Sequence, residues 1–177
     1  MFVAEGFQNV SIRKIAERIE YAPSTIYLYF KDKDEIMLSL CEETFETLMT
    51  EIKSVTSAAK DPLSALKCGL RSYIQFGLAH PSHYLISFCL PPPKSKIEWK
   101  LETSIGLQTF DLLRQSIRKC MECGAIRQQD VEVASQLAWT SAHGVTSLLI
   151  SSHDMFPFVD HKILIDAVLD NIVNGLK

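Results

Sequence analysis

From Asp34 to about Ala59, apolar residues return every few positions at Ile36, Leu40, Phe45, Leu48, Ile52 and Val55. The acids Glu42, Glu43, Glu46 and Glu51 fall elsewhere on the surface, so the pattern predicts one long amphipathic helix with a solvated acidic side. Asp61-Pro62 then supplies an N-cap and a proline at the first helical position. Leu63, Leu66, Leu70, Tyr73 and Ile74 carry that helix to the break at His80-Pro81. Ser82 is placed to cap a short helix through Tyr84, Leu85, Phe88 and Cys89, which Pro91-Pro92-Pro93 must end. A further helix is predicted from Ile97 to Cys123, stopped by Gly124. Asp130 opens another, to about Ser151, and Val159 or Asp160 opens a last one to Gly175. Nowhere does an apolar/polar alternation with β-branched enrichment persist, so the expected fold class is all-α.

Two stretches, Ser72 to Pro93 and Val133 to His153, contain no Asp, Glu, Lys or Arg and approach the ~20 residues that span a bilayer. His80-Pro81-Ser82-His83 interrupts the first. The second carries Ser135, Gln136, Thr140, Ser141, His143, Thr146 and Ser147, too many polar groups for a helix facing lipid. Both are read as helices buried against protein, and no membrane partner is expected.

The most informative segment is Ser11 to Phe30. Ile12, Ile15, Ala16 and Ile19 give one short helix a single apolar face. After a break at Glu20-Tyr21-Ala22, Pro23 opens a second short helix with the answering pair Ile26 and Phe30. Two short one-sided helices joined by a tight turn form a helix-turn-helix. The outer side of the second helix holds Ser24, Thr25, Tyr27, Leu28 and Tyr29, followed by Lys31 and Lys33, hydroxyls and ammoniums suited to phosphate oxygens. Leu28 offers no hydrogen bond to a base edge.

Charge changes this picture only locally. The 177 residues hold 18 Lys and Arg against 21 Asp and Glu, a formal charge of −3, so no global basic excess draws the chain to nucleic acid. Between Ser11 and Lys33, however, Arg13, Lys14, Arg18, Lys31 and Lys33 outnumber Glu17, Glu20 and Asp32. Lys33 also begins the long helix, whose positive dipole end can receive a phosphate. With 47% hydrophobic and 22% charged residues the chain is an ordinary globular protein that needs no cofactor to fold.

Gly6-Phe7, Ser11-Ile12-Arg13-Lys14-Ile15-Ala16 and the run Thr25-Ile26-Tyr27-Leu28-Tyr29-Phe30-Lys31-Asp32-Lys33 resemble the TetR family of bacterial one-component regulators. Tyr73 to Phe88 and Trp139-Thr140-Ser141-Ala142-His143-Gly144 resemble the C-terminal subclass named for its Trp-His-Gly motif. The resemblance implies a DNA-binding helix-turn-helix domain over residues 1–32 and an α-helical effector-binding and dimerisation domain over 33–177. The function it implies is a ligand-responsive cytoplasmic transcriptional repressor, released from double-stranded operator DNA by a small apolar or aromatic effector. A helical small-molecule binding protein that has lost DNA binding is the alternative. Ser24, Thr25 and Leu28 would face the major groove, with Arg13, Tyr27, Tyr29, Lys31 and Lys33 on phosphates. The effector pocket would be lined by Tyr73, Phe76, Tyr84, Phe88, Phe110, Trp139 and His143. The homodimer contact would use Val145, Leu148, Leu149, Ile163, Ala167, Val168 and Ile172.

This chain departs from the family's pattern at Glu20, where glycine is usual, at Ala22, where serine is usual, and at Leu28, where a polar or basic residue is common. Family members also carry further turns of helix before the position of Phe2. The first helix is therefore expected to be short, or the chain to begin within it.

The remaining chemistry is sparse. Cys41, Cys68, Cys89, Cys120 and Cys123 are odd in number and scattered, and with no leader evident they read as reduced thiols. Cys120 and Cys123 form a lone C-x-x-C without the second pair that zinc would need, so no metal is expected. His143 reads either as a satisfied core histidine or as a ligand-sensing group, next to Gly144 where another helix could approach closely. No nucleophile-elbow or phosphate-loop motif is present, and no enzymatic activity is expected.

Overall fold

The computed structural model describes residues 1–90, 104–152 and 155–177, and all regular structure within them is helical. The helices are α1 (Phe2–Glu5), α2 (Ile12–Arg18), α3 (Pro23–Ile26), α4 (Lys33–Ser57), α5 (Pro62–Ala79), α6 (Pro81–Tyr84), α7 (Ile105–Glu122), α8 (Val131–Ser151) and α9 (His161–Leu176). The fold is all-α, as the periodicity requires. It divides into two compact units: Met1–Thr44 with 82–90, and Phe45–Pro81 with 104–152 and 155–177. The division falls within α4, after Thr44.

In the first unit, α1 packs on the 3-10 turn Phe7–Asn9 and on the π-helical turn Leu85–Cys89. Gly6 joins α1 to the first of these turns at φ 78°, a backbone conformation open to glycine without steric cost. Phe2 is buried, with its ring 5.3 Å from that of Phe7. The Ser11 hydroxyl caps α2 by accepting from the Lys14 N–H at 3.2 Å. Ile12 and Ala16 of α2 meet Ile26 of α3, with Ile15, Phe30 and Ile36 packed around them. This small cluster docks the two short helices. Tyr84, at the end of α6, is wholly buried, with its ring 4.9 Å from Phe88.

Three details of this unit differ from the sequence expectation. First, α2 ends at Arg18 and Glu20 turns the chain at φ 59°, so Ile19 rotates off the apolar face and is 50% exposed. Second, α3 is only one turn long. Past Ile26 the chain tightens into i→i−3 bonds, Leu28 N–H to Thr25 O and Tyr29 N–H to Ile26 O, consistent with the weak helix propensity of tyrosine. Third, the helix after the His80 break starts at Pro81, whose fixed φ suits a first helical position, rather than after Ser82.

The second unit is built on α5 and α8, which pack on one another and each on both α7 and α9. Three of its helix starts follow the sequence closely, whereas α7 begins at Ile105, because the extended Ser104 caps a new helix inside the one expected to run from Ile97. The carboxylates of Asp61, Asp130 and Asp160 accept from the N–H groups of Ser64, Val133 and Ile163, and Ser104 does the same for Leu107. Gly124 (φ 71°) follows the last residues of α7, and the expected start at Ile97 and stop at Pro91-Pro92-Pro93 lie outside the described residues. Ala134, Ala138 and Ala142 recur every four residues on the buried side of α8, where small side chains let neighbouring helices come close. Ser135 and Thr146, also fully buried, bond the carbonyls of Val131 and Ala142 in their own helix. That explains an uncharged stretch rich in hydroxyls, and among the described residues no helix is long and apolar enough to cross a membrane. At the edges Arg71 and Lys67 of α5 pair with Asp166 and Asp170 of α9. Arg114 grips Glu132 at 2.7 and 3.0 Å and Asp111 at 2.6 Å.

Candidate nucleic-acid interface

The docking of α2 on α3 decides which side chains are left in water. Ile26 and Phe30 turn inward, so Ser24, Tyr27, Leu28 and Tyr29 turn outward, with Thr25 half-buried at the edge. Leu28 is 79% exposed and Tyr29 75%, although both are large side chains that gain by burial. Arg13 and Lys31 are exposed on the same unit, Lys31 two residues after Tyr29. The arrangement offers an aromatic and hydroxyl-bearing surface with flanking positive charge, which is the donor set that phosphate and sugar oxygens require.

Two expectations about charge need correction. Lys33 does not project outward: its ammonium donates to the carbonyls of Phe7 at 2.6 Å and Val10 at 2.9 Å and lies 4.4 Å from the Phe7 ring centre. It satisfies backbone acceptors between α1 and α2 and is held there rather than offered to a phosphate. The start of α4 is likewise occupied by its own acids. Asp32 accepts from the Glu35 N–H at 3.0 Å, and Glu35 reaches back to accept from the Lys31 N–H. This reciprocal cap satisfies the dipole end with carboxylates, which repel an incoming anion. Lys14 is also committed, to Glu5 at 3.0 Å and the Asn9 carbonyl at 3.1 Å. The exposed cations of this unit outside these ion pairs and caps include Arg13, Arg18 and Lys31.

Periodicity alone missed Tyr21 and Ile19, which are 61% and 50% exposed beside α3. The signal was Glu20. A non-glycine residue at positive φ ends α2 early and swings both neighbours to the outside.

The aromatic residues assigned to a pocket fall in both units. Tyr84 and Phe88 stack in the first. In the second, Tyr73, Trp139, His143 and Phe110 converge, and Phe76 lies 5.0 Å from the ring of His80. The indole Nε1–H of Trp139 donates to the Tyr73 hydroxyl at 3.2 Å, and that phenol can pass its own proton toward His143 Nδ1 at 3.1 Å. The edge of Phe110 meets the Trp139 face at 5.9 Å. Burial holds the His143 pKa below the ordinary imidazole value, which favours the neutral ring that accepts from a phenol. At Gly144 no described atom of another helix lies within 4 Å of where a Cβ would stand, so the close helix approach expected there is not found. Cys120 of the C-x-x-C is fully buried, and desolvation pushes its pKa up to about 11, which holds this residue as the thiol.

The residues assigned to a twofold contact also divide. Val145, Leu149 and Ile172 are buried within their own chain, between α8 and its neighbours, and are not available to a partner. Leu148 and Ile163 are 52% and 63% exposed, Ala167 is exposed and Val168 half-buried.

Comparison with known proteins places this geometry in a lineage. A family model described as bacterial regulatory proteins, tetR family, matches residues 1–40, and one described as tetracyclin repressor-like, C-terminal domain, matches residues 66–172. An HTH-type transcriptional regulator of Staphylococcus aureus (strain bovine RF122 / ET3-1) is 26% identical over 111 residues, 63% of this chain and 58% of that protein. The chain thus matches little more than half the length of that relative. The fatty acid metabolism regulator protein of Bacillus subtilis (strain 168) is 25% identical over 178 residues, covering 97% of this chain and 87% of its own. Among solved structures, the fatty acid degradation regulator FadR from Bacillus halodurans superposes with a TM-score of 0.83 at 24% identity, over 99% of this chain and 90% of that one. With both its amino-terminal segment and most of its remaining length matched by these family models, the chain belongs to the tetR family of bacterial regulatory proteins.

Proposed function

We propose that this protein is a ligand-responsive, DNA-binding transcriptional regulator of the cytoplasm, a repressor that leaves its operator when a small apolar or aromatic effector binds. The observation that carries this reading is the outward set Ser24, Tyr27, Leu28, Tyr29 and Lys31, left in solvent where Ile12 and Ala16 of α2 dock on Ile26. An exposed leucine between two exposed tyrosines is apolar surface of the kind that binding partners cover. Double-stranded DNA is the partner that the flanking Arg13 and Lys31 favour.

The helix-turn-helix over residues 1–32 would read DNA, and residues 33–177 would hold the effector and the dimer contact. Tyr73, Trp139, His143 and Phe110 support an apolar or aromatic effector class. The similarity to a regulator of fatty acid metabolism points the same way. The joining of Trp139 to His143 through Tyr73 supports the Trp-His-Gly subclass. A homodimer through Leu148, Ile163, Ala167 and Val168 would set two half-sites ~34 Å apart. Effector coupling of the usual size, about 1–3 kcal/mol, lowers operator affinity roughly 5- to 150-fold.

Selection of binding sites from random duplex DNA tests the reading. The expected outcome is an enriched twofold-symmetric sequence whose binding weakens at least about fivefold in the presence of a cognate apolar ligand. Failure of the folded protein to enrich any duplex rejects it.

A further inference from the structure

Leu28 has no structural occupation. It lies two residues after Ile26 and two before Phe30, the pair that turns into the α2–α3 core, so its side chain points directly away from that core. At 79% it is the most exposed large apolar side chain of the first unit. The neighbours that share its outer face are polar or amphipathic: Ser24 and Thr25 one turn earlier, Tyr27 and Tyr29 on either side, and Lys31 beyond. Exposed hydroxyls and an ammonium on the residues that flank one exposed isobutyl group fit a surface that is anionic at its edges and offers a small apolar feature between them.

The major groove of DNA has one such feature, the C5 methyl of thymine, which stands beside base-edge donors and acceptors and between two phosphate backbones. We infer that Leu28 is a specificity-determining residue that selects thymine in each operator half-site by packing on its C5 methyl group. The inference rests on the DNA-binding reading above and adds the base it prefers and the atom it touches. It also explains why a side chain without hydrogen-bonding capacity stands at the tip of the reading surface. Contact with a methyl needs no donor, and a leucine on the turn that follows α3 presents two methyls to it. Tyr27 and Tyr29, which carry both a ring and a hydroxyl, reach the sugar and phosphate oxygens to either side and fix the register in which Leu28 meets the base.

The experiment separates this inference from its parent. Duplexes enriched by the full chain are remade with uracil in place of each recurring thymine, which deletes the methyl and leaves base pairing unchanged. Affinity is then measured by fluorescence anisotropy for the unmodified protein, Leu28→Ala and Leu28→Met. At one thymine per half-site, uracil is expected to weaken the unmodified protein about fourfold, the usual effect of one buried methyl group. Leu28→Ala, already weak, should show no uracil effect at that position, and Leu28→Met, which restores an apolar contact, should recover most of it. The high exposure of Leu28 keeps these variants folded, and their circular dichroism should match the parent. A uracil effect of equal size in the unmodified protein and Leu28→Ala, or no effect at any thymine, overturns the thymine assignment and leaves DNA binding intact. Failure to enrich any duplex overturns both.

Discussion

The outer face of α3 and the Tyr73–Trp139–His143 cluster solve opposite problems with similar residues. Around α3 the tyrosines and a leucine are left in water by a core of only Ile12, Ala16 and Ile26 with a few partners. In the second unit a tyrosine, a tryptophan and a histidine are drawn together from α5 and α8 and bonded to one another. The first surface is shaped by what its small core excludes, the second by what its bonds demand. Substitutions should therefore act on the first through docking and on the second through unsatisfied polar groups.

The largest effect is expected where the small core is broken. Ile26→Ala should cost about 2–5 kcal/mol of local stability, because the cavity opens in a cluster with little to collapse into it. Limited proteolysis should then cut between Ser11 and Phe30 while tryptophan fluorescence, measured in a Trp99→Phe background so that Trp139 alone reports, stays native; a coordinated loss of both signals would mean that the two regions are not separable in this way. Next comes Tyr73→Phe, which removes the hydroxyl that the Trp139 indole donates to and that bonds His143 Nδ1, at about 1–3 kcal/mol. Thermal unfolding should fall accordingly, and the affinity for DNA without effector should not change.

Lys33→Met should lower stability by about 1.5–3 kcal/mol by releasing the Phe7 and Val10 carbonyls. Chemical denaturation reads that loss, and a normal salt dependence of DNA binding in the same variant would confirm a bracing role. A smaller effect follows from His143. Its folded pKa is depressed, so between that value and about 6.5 the unfolded chain takes up a proton that the folded chain refuses. The contribution is intact above about pH 6.5 and is lost as pH falls below it. His143→Gln should flatten this part of the stability profile between pH 7.5 and 5.5 in paired thermal melts. The smallest expected change is a gain: Glu20→Gly relieves the positive φ at that position and should stabilise by about 1 kcal/mol.

The same contrast explains what could be read from the chain. The helix-turn-helix is local: Ser11, Pro23 and the apolar spacing between them lie within twenty residues, and each acts on its own neighbours, so pattern and cap chemistry were enough. Helix starts at Asp61, Asp130 and Asp160 were legible for the same reason. Lys33 was not, because its acceptors lie more than twenty residues back, on a turn whose carbonyls have no sequence signature. Tyr73 and His143 stand 70 residues apart, and periodicity marks both as core without saying that a phenol joins them. Ile19 was misplaced because helical spacing continues on paper past a turn that Glu20 imposes in space. Val145, Leu149 and Ile172 show the converse limit, since apolarity cannot distinguish a face buried by its own chain from one awaiting a partner.

A salt titration of duplex binding tests most directly whether the exposed Arg13 and Lys31 meet DNA phosphates. The logarithm of affinity should fall linearly with the logarithm of salt concentration, and the slope should become shallower by roughly one unit in Arg13→Ala and again in Lys31→Ala. Binding that ignores salt, or a slope that neither variant alters, would contradict it.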